Sequence, residues 1–375
     1  MTAPEATIPR DALTLAIAAH ERAIALRAES RLPAAERACR RALALYTRAE
    51  GPRAPDTANA HFELGQILEA RDRLRDARAC YVRARAILGK PSRAGDPDIN
   101  RLSLRALMAL AGIDRQTGAY PRAERGFRAA LAEATRVFGA RDLDVASLFN
   151  NLGVLRKYQG RFAEAIVFYK KALPMLRRAG DRDSLATLYH NLGGIEHARG
   201  RYAAGEPWAR KSVELRAAEL GPNHVKTAAD VAALAGLVEG RGRLDEAADL
   251  YKRAIAIFER TLGPASAEVA LDLAGLASVR HGQGRLAEAR RLYARALPLQ
   301  ERVFGARHPE VAMTLNNMGA LERDAGDLPR AQAMYERAWR VYRAAVGPRH
   351  VHARQCAANL RAIKADRAAS IGSRR

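Results

Sequence analysis

The sequence predicts an all-α protein, an α-α superhelix of eight helix–turn–helix repeats closed by one further helix. Three observations predict it. A short turn motif returns at a nearly fixed interval, and small and aromatic residues return at fixed offsets from it. The composition is that of helices, rich in Ala, Leu, Arg and Glu and only 6% aromatic. Length alone, 375 residues, would suggest two or three globular domains, but a repeat array grows along one axis without that division.

The turn motif is a small or turn-forming residue, then a basic or small one, then a hydrophobe: GRF, GRY, GRL, GDL and GAY. Its first residue, the anchor, is Ser30, Asp72, Gly118, Gly160, Gly200, Gly242, Gly284 and Gly326. Successive spacings are 42, 46, 42, 40, 42, 42 and 42 residues. Five residues after each anchor stands Ala or, once, Gly205. Nine after it the series is Cys39, Tyr81, Phe127, Tyr169, Ala209, Tyr251, Tyr293 and Tyr335. Twelve after it Ala42, Ala84, Ala130, Ala172, Ser212, Ala254, Ala296 and Ala338 follow. Steps of four and three put all three positions on one helical stripe. The small residues let helices approach closely, and the ring fills the space beside them. Eight residues before the anchor stands Leu64, Leu110, Leu152, Leu192, Leu234, Leu276 or Met318, each followed by Gly or Ala, which is the facing seam of the preceding helix.

Each repeat therefore reads as helix A, a tight turn at the anchor, and a longer helix B, and neighbours must supply the core that no helix pair can bury alone. The array spans residues 10–345. A capping helix follows in 346–366, from about residue 351, and residues 367–375 read as a frayed tail. Three places depart from the pattern. The connection Leu88–Asn100 carries four extra residues with two Pro and two Gly and reads as the loosest joint. Repeat five loses two residues and places Pro207 early in helix B, where a local bend is expected. Repeat one is degenerate, with Ala19 and Arg22 at positions usually held by larger or apolar residues.

The pattern resembles tetratricopeptide repeats, specifically the 42-residue kind of kinesin light chains and many bacterial proteins. The segments that carry the resemblance are LGPNHVKTA, FGARHPEVAMTLNNMGAL and QGRLAEARRLYARAL. It is specific for the fold and far less so for the ligand, since the family binds many. His224, His308 and His350 belong to the G-x-x-H turn before helix A. Asp142 and Ser266 fill that slot elsewhere, so the histidines read as caps and not metal ligands.

The resemblance implies that helix A lines a concave groove and that ligand contacts come from positions thirteen, ten, nine, six, three and two residues before the anchor. Carried over, these give Arg105, Met108, Arg115 and Gln116 in repeat three, and Ser147, Asn150, Asn151, Lys157 and Tyr158 in repeat four. Repeat five gives Thr187, His190, Asn191 and His197, and repeat eight Asn316, Asn317, Arg323 and Asp324. Repeats six and seven give mostly small residues, among them Ala229, Ala232, Ala233, Gly236, Ala274 and Gly275, with Leu271 and His281. Asn151, Asn191 and Asn317 share one slot, and an amide suits the backbone of an extended peptide. Arg105, Arg115, Lys157, His190 and His197 make mid-groove basic, which favours an acidic or phosphorylated segment. The chaperone-binding carboxylate clamp of the family would need a basic pair where this chain has Ala229 and Ala233, so that role is not expected.

Other classes are set aside on composition and spacing. No P-loop, HExxH, GxSxG or paired-carboxylate motif occurs, so no enzyme and no cofactor is expected. His190 and His197 are two helical turns apart, roughly 10 Å, too far to chelate one ion. Cys39, Cys80 and Cys356 are widely spaced and read as plain thiols of a cytoplasmic protein. No stretch of ~18 apolar residues occurs, so no membrane span is expected. The net charge is +22, with 55 Arg to 8 Lys, a skew that GC-rich bacterial codon usage produces. Codon usage does not explain the shortage of acids, so nucleic acid or another polyanion is the alternative partner to an acidic peptide.

Overall fold

The computed structural model describes residues 10–29, 31–345, 347–348 and 350–372; the first anchor, Ser30, and residues 373–375 of the expected tail lie outside them. Seventeen α-helices and no strands are present among the described residues. They fall into two compact units, Met1–Asp181 and Arg182–Arg375. The first holds α1 (Arg10–Ala28), α2 (Leu32–Ala49), α3 (Pro55–Ala70), α4 (Leu74–Leu88), α5 (Pro97–Gln116), α6 (Tyr120–Phe138), α7 (Leu143–Tyr158) and α8 (Phe162–Ala179). The second holds α9 (Arg182–Ala198), α10 (Tyr202–Leu220), α11 (Val225–Gly240), α12 (Leu244–Leu262), α13 (Ala267–Gly282), α14 (Leu286–Phe304), α15 (Pro309–Asp324), α16 (Leu328–Ala345) and α17 (Val351–Gly372). Odd-numbered helices through α15 are helix A of a repeat, even-numbered ones are helix B, and α17 is the capping helix. It runs six residues beyond the expected limit of 366.

The anchors end helix A by a stereochemical requirement. Gly118, Gly160, Gly200, Gly242, Gly284 and Gly326 all have positive φ, and Asp72, at φ 58°, is the one described non-glycine residue that does. At Gly160 the reversal closes with Arg161 N–H donating to the Arg156 carbonyl at 2.9 Å and Gly160 N–H to that of Lys157 at 3.0 Å. These are the paired bonds of a Schellman turn, whose left-handed residue favours glycine or, less well, a short polar side chain. Helix A starts with a side-chain cap in several repeats. Asp142, His224 and His308 accept the N–H two residues on at 2.9, 3.1 and 3.2 Å, and His350 does so for α17 at 3.4 Å. The G-x-x-H histidines are thus caps, as the turn pattern suggests.

Close approach of A and B follows from the small seam. Tyr81, Tyr169 and Tyr335, nine after their anchors, are fully buried and lie against Gly65, Gly153 and Gly319, seven before them. A methyl carbon at Gly153 would stand 2.2 Å from the Tyr169 ring, well inside contact distance. Within each unit consecutive A helices touch one another, whereas no two B helices do among the described residues. The A helices therefore crowd the narrow, concave side of each unit.

Charged residues lock one repeat to the next at the turns. Glu36 on α2 binds Arg71 and Arg73 around the second anchor, the latter at 2.9 Å. Glu206 on α10 binds Arg241 and Arg243 around the sixth, the latter again at 2.9 Å. Glu124 meets the buried Arg156 at 2.6 Å, and in repeat seven the polarity reverses, with Arg290 meeting buried Glu322 at 2.6 Å. Burial alone would raise the Glu206 carboxyl, but Arg241, Arg210 and Arg243 outweigh it and hold it at about 2. Desolvation offsets much of the attraction in such pairs; what they fix is which turn meets which helix.

The departures from the repeat resolve in three ways. The long connection after α4 is tied down: Asn100 Nδ2 donates to the Ser92 carbonyl at 2.7 Å, and Arg136 donates to that of Pro91 at 2.7 Å. The division between units falls instead at Gly180 and Asp181, the two-residue connection of α8 to α9 where neighbouring repeats have four residues. Pro207 lies within an unbroken α10, and Pro174 and Pro298 likewise lie within α8 and α14.

Gly153→Ala is expected to destabilise the chain by about 1–3 kcal/mol, since the added methyl overpacks the seam. Tyr169→Ala should cost about 3–5 kcal/mol by leaving a ring-sized cavity. Urea unfolding of both variants beside the wild type measures this, and an unchanged Gly153→Ala midpoint would refute the seam.

Candidate ligand-binding faces of the A helices

In the first unit the candidate groove residues lie on α5 and α7, which touch. Arg105 is exposed and Arg115 half-buried, its guanidinium 5.1 Å from the centre of the Tyr158 ring. Lys157 is half-buried, and desolvation pulls its ammonium below the usual lysine range. The other arginines of these helices are engaged: Arg101 with Asp142 and Asp144 at 2.9 and 2.6 Å, Arg156 with Glu124. Arg105, Arg115 and Lys157 have no acidic partner among the described residues. Asn150 and Asn151 are half-buried on the same helix, and Asn150 is already engaged.

Earlier in this unit the same face forms an open recess of about 880 Å³ that includes Arg105, Met108 and Gln116. Sequence reasoning missed its acidic side. Glu63 holds Arg27 at 2.5 Å, and Glu69 accepts the Tyr81 hydroxyl at 2.8 Å and the Gln116 amide at 2.6 Å. Glu63 stands in the slot that Asn151 holds two repeats on, so the signal was in the repeat pattern itself.

In the second unit most of the expected groove cations are already paired. His190 Nδ1 lies 2.8 Å from Asp230 Oδ1, whose other oxygen accepts Arg216 Nε at 3.0 Å. Arg216 also binds Asp183, and its other terminal nitrogen donates to Thr187 Oγ1 at 3.0 Å. Arg323 binds Asp324 at 3.0 Å, and His281 Nε2 lies 2.9 Å from the same carboxylate. Asn316 is drawn away from ligand duty, its Oδ1 accepting from Asn359 of the capping helix at 3.0 Å. Asn191 and His197 are engaged within the fold, His197 edge-on to the Tyr202 ring at 5.5 Å. Asn317 lies beside the buried Tyr293 hydroxyl. On α5 and α7 the expected basic residues thus have no acidic partner among the described residues, whereas at α9 the imidazole of His190 belongs to an internal hydrogen-bonded chain with Asp230 and Arg216.

The small-residue stretch over α11 and α13 carries two exposed apolar neighbours, Leu271 and, on α15, Met313. Beneath it lie two acids. Glu239 accepts the Tyr251 hydroxyl at 3.3 Å, and burial raises its carboxyl. Asp272 is 7% exposed, and its Oδ2 is enclosed without a hydrogen-bond partner. Desolvation, with Glu268 nearby, pushes the Asp272 carboxyl up to about 8. Among the described residues no group of three or more His, Cys, Asp or Glu is placed to hold a metal, and no helix is long and apolar enough to cross a membrane.

Asp272 makes a signed prediction. An unfolded aspartate titrates near ~4, so between there and about 8 the folded chain holds one proton more than the unfolded. Stability from this group therefore falls as pH rises through that window. Asp272→Asn should be the more stable chain at pH 8, with its advantage shrinking towards pH 5. Thermal midpoints across pH 5–9 read this, and parallel curves would contradict it.

The repeat pattern has counterparts in known proteins. The family model described as Tetratricopeptide repeat matches residues 14–90, 102–178, 184–260 and 267–344. No curated protein sequence matches. Among solved structures, the chain is similar to the apo form of the quorum sensor NprR from B. thuringiensis, at 14% identity over 87% of each chain with a TM-score of 0.60. It is also similar to the Rap conjugation gene regulator of the plasmid pLS20 in complex with the Phr* peptide, at 18% identity over 80% of each chain, TM-score 0.60. BtubC (BKLC) from P. vanneervenii matches at 22% identity over 64% of this chain and 92% of its own, TM-score 0.46. Four matched segments covering most of the chain, on seventeen helices with the expected turns and seams, make it a member of the tetratricopeptide-repeat family.

Proposed function

We propose that the chain is a protein-interaction scaffold whose A-helix face on α5 and α7 binds an extended, acidic peptide segment of a partner. One observation carries this reading: Arg105, Arg115 and Lys157 share that face without an acidic partner among the described residues, while Arg101 and Arg156 on the same helices are paired. A half-buried ammonium with no counter-ion is costly, and a ligand carboxylate or phosphate would relieve that cost by charge-assisted hydrogen bonds. Asn151 adds an amide suited to a peptide backbone. A regulator of similar fold was solved with a bound peptide, which accords with this class of ligand. Many arginines elsewhere are held in ion pairs at the turns, which speaks for a localised anionic ligand over a general polyanion surface.

The test is selection of a random twelve-residue peptide library on the purified chain. Enrichment in Asp and Glu is expected, and the selected peptides should bind Arg105→Glu/Lys157→Glu at least about ten-fold more weakly, with stability within about 0.5 kcal/mol of wild type. Selection without acidic enrichment, equal binding by the variant, or displacement of every peptide by low concentrations of duplex DNA would overturn the reading, the last in favour of nucleic acid.

A further inference from the structure

Asp272 is anomalous for its position. It stands twelve residues before its anchor, a slot that Ala60, Ala106, Leu148 and Leu188 fill in four other repeats with buried apolar side chains. A carboxylate there is burdensome, because a buried charge needs a partner, and an unsatisfied buried polar atom in a folded protein calls for an explanation.

The preceding repeat shows what a carboxylate in this slot holds. Asp230, 42 residues earlier, receives the imidazole of His190 at 2.8 Å from the groove side and the guanidinium of Arg216 at 3.0 Å from helix B. One repeat later those two places are taken by Ala232 and Phe258. Phe258 is buried and offers no polar atom in place of the Arg216 guanidinium. Ala232 is only half-buried and carries a methyl group where His190 carries its imidazole. Asp272 itself makes no hydrogen bond or ion pair among the described residues.

The geometry points to a cation-accepting subsite at Asp272, in which the ammonium or guanidinium of a basic side chain on a peptide lying along α11 and α13 takes the place that the His190 imidazole takes at Asp230. This rests on the reading that the A-helix faces bind peptide and deepens it, since it names the side chain that the face of α11 and α13 takes. A basic side chain reaching past Ala232 would meet a buried carboxylate, where low solvent access makes a charge-assisted bond strong. Exposed Ala229 and half-buried Ala233 present only methyl groups to its aliphatic stem. That the carboxyl is held up to about 8 by burial is the expected state of such a site before its cation arrives.

Two measurements test it. Ala232→His supplies the missing imidazole from within. Its ring should titrate at least one pH unit higher in the wild-type background than in the Asp272→Asn background, as read by NMR; equal values would show that Asp272 does not face the groove position and would overturn the subsite. In the library selection, the binders whose affinity falls at least ten-fold on Asp272→Asn, a variant whose fold is checked by circular dichroism, should carry Lys or Arg at one fixed position. Equal affinity of every selected peptide for Asp272→Asn would overturn the subsite while leaving the α5 and α7 reading intact.

Discussion

The fold depends on one steric fit, the ring of helix B lying against a residue with little or no side chain on helix A. Tyr169 on Gly153 and Tyr335 on Gly319 leave no room for a methyl carbon, and that proximity is what draws the A helices onto one side of each unit. The left-handed anchor sets the reversal, the seam sets the distance, and Glu–Arg pairs at the turns set the register of successive repeats. Where the ring is lost, at Ala209 in repeat five, Gly205 and Gly193 bring the backbones together instead, and a methyl carbon at Gly205 would stand only 3.0 Å from the Gly193 carbonyl oxygen. Tyr189 and Trp208, stacked at 5.4 Å, supply the aromatic contact from elsewhere in the same pair.

Much of this was legible in the sequence because repetition turns one chain into eight aligned examples. The positive φ of the anchors, the burial of the nine-after ring and the capping histidines each follow from a column of residues with a shared physical requirement. What lay outside the pattern was harder to read. Nothing in the spacing says that Asn316 will be taken by Asn359, or that His190 will be taken by Asp230, because those contacts join residues about 40 apart through one-off choices of side chain. The Pro- and Gly-rich loop after α4 reads as the loosest joint, yet hydrogen bonds from Asn100 and Arg136 hold it. Asp272 could have been found: two successive acids, Asp230 and Asp272, in a column otherwise of Ala, Leu and Thr are visible without a structure.

Charge gains meaning only once pairing is known. A net charge of +22 suggests a uniformly basic surface, but the arginines are distributed unequally between structural and free roles. Those beside the second and sixth anchors hold carboxylates of the previous repeat. The concave face of α5 and α7 keeps three cations without acidic partners, whereas in the second unit His190, His281 and Arg323 are matched to aspartates and the unmatched group is itself an acid.

The central claim, that ligand is held on the A helices, is tested most directly by amide hydrogen exchange on the chain with and without a library-selected peptide. Slowed exchange should concentrate in α5 and α7, with α6 and α8 unchanged. Protection confined to the B helices, or to the turns at the anchors, would contradict the account.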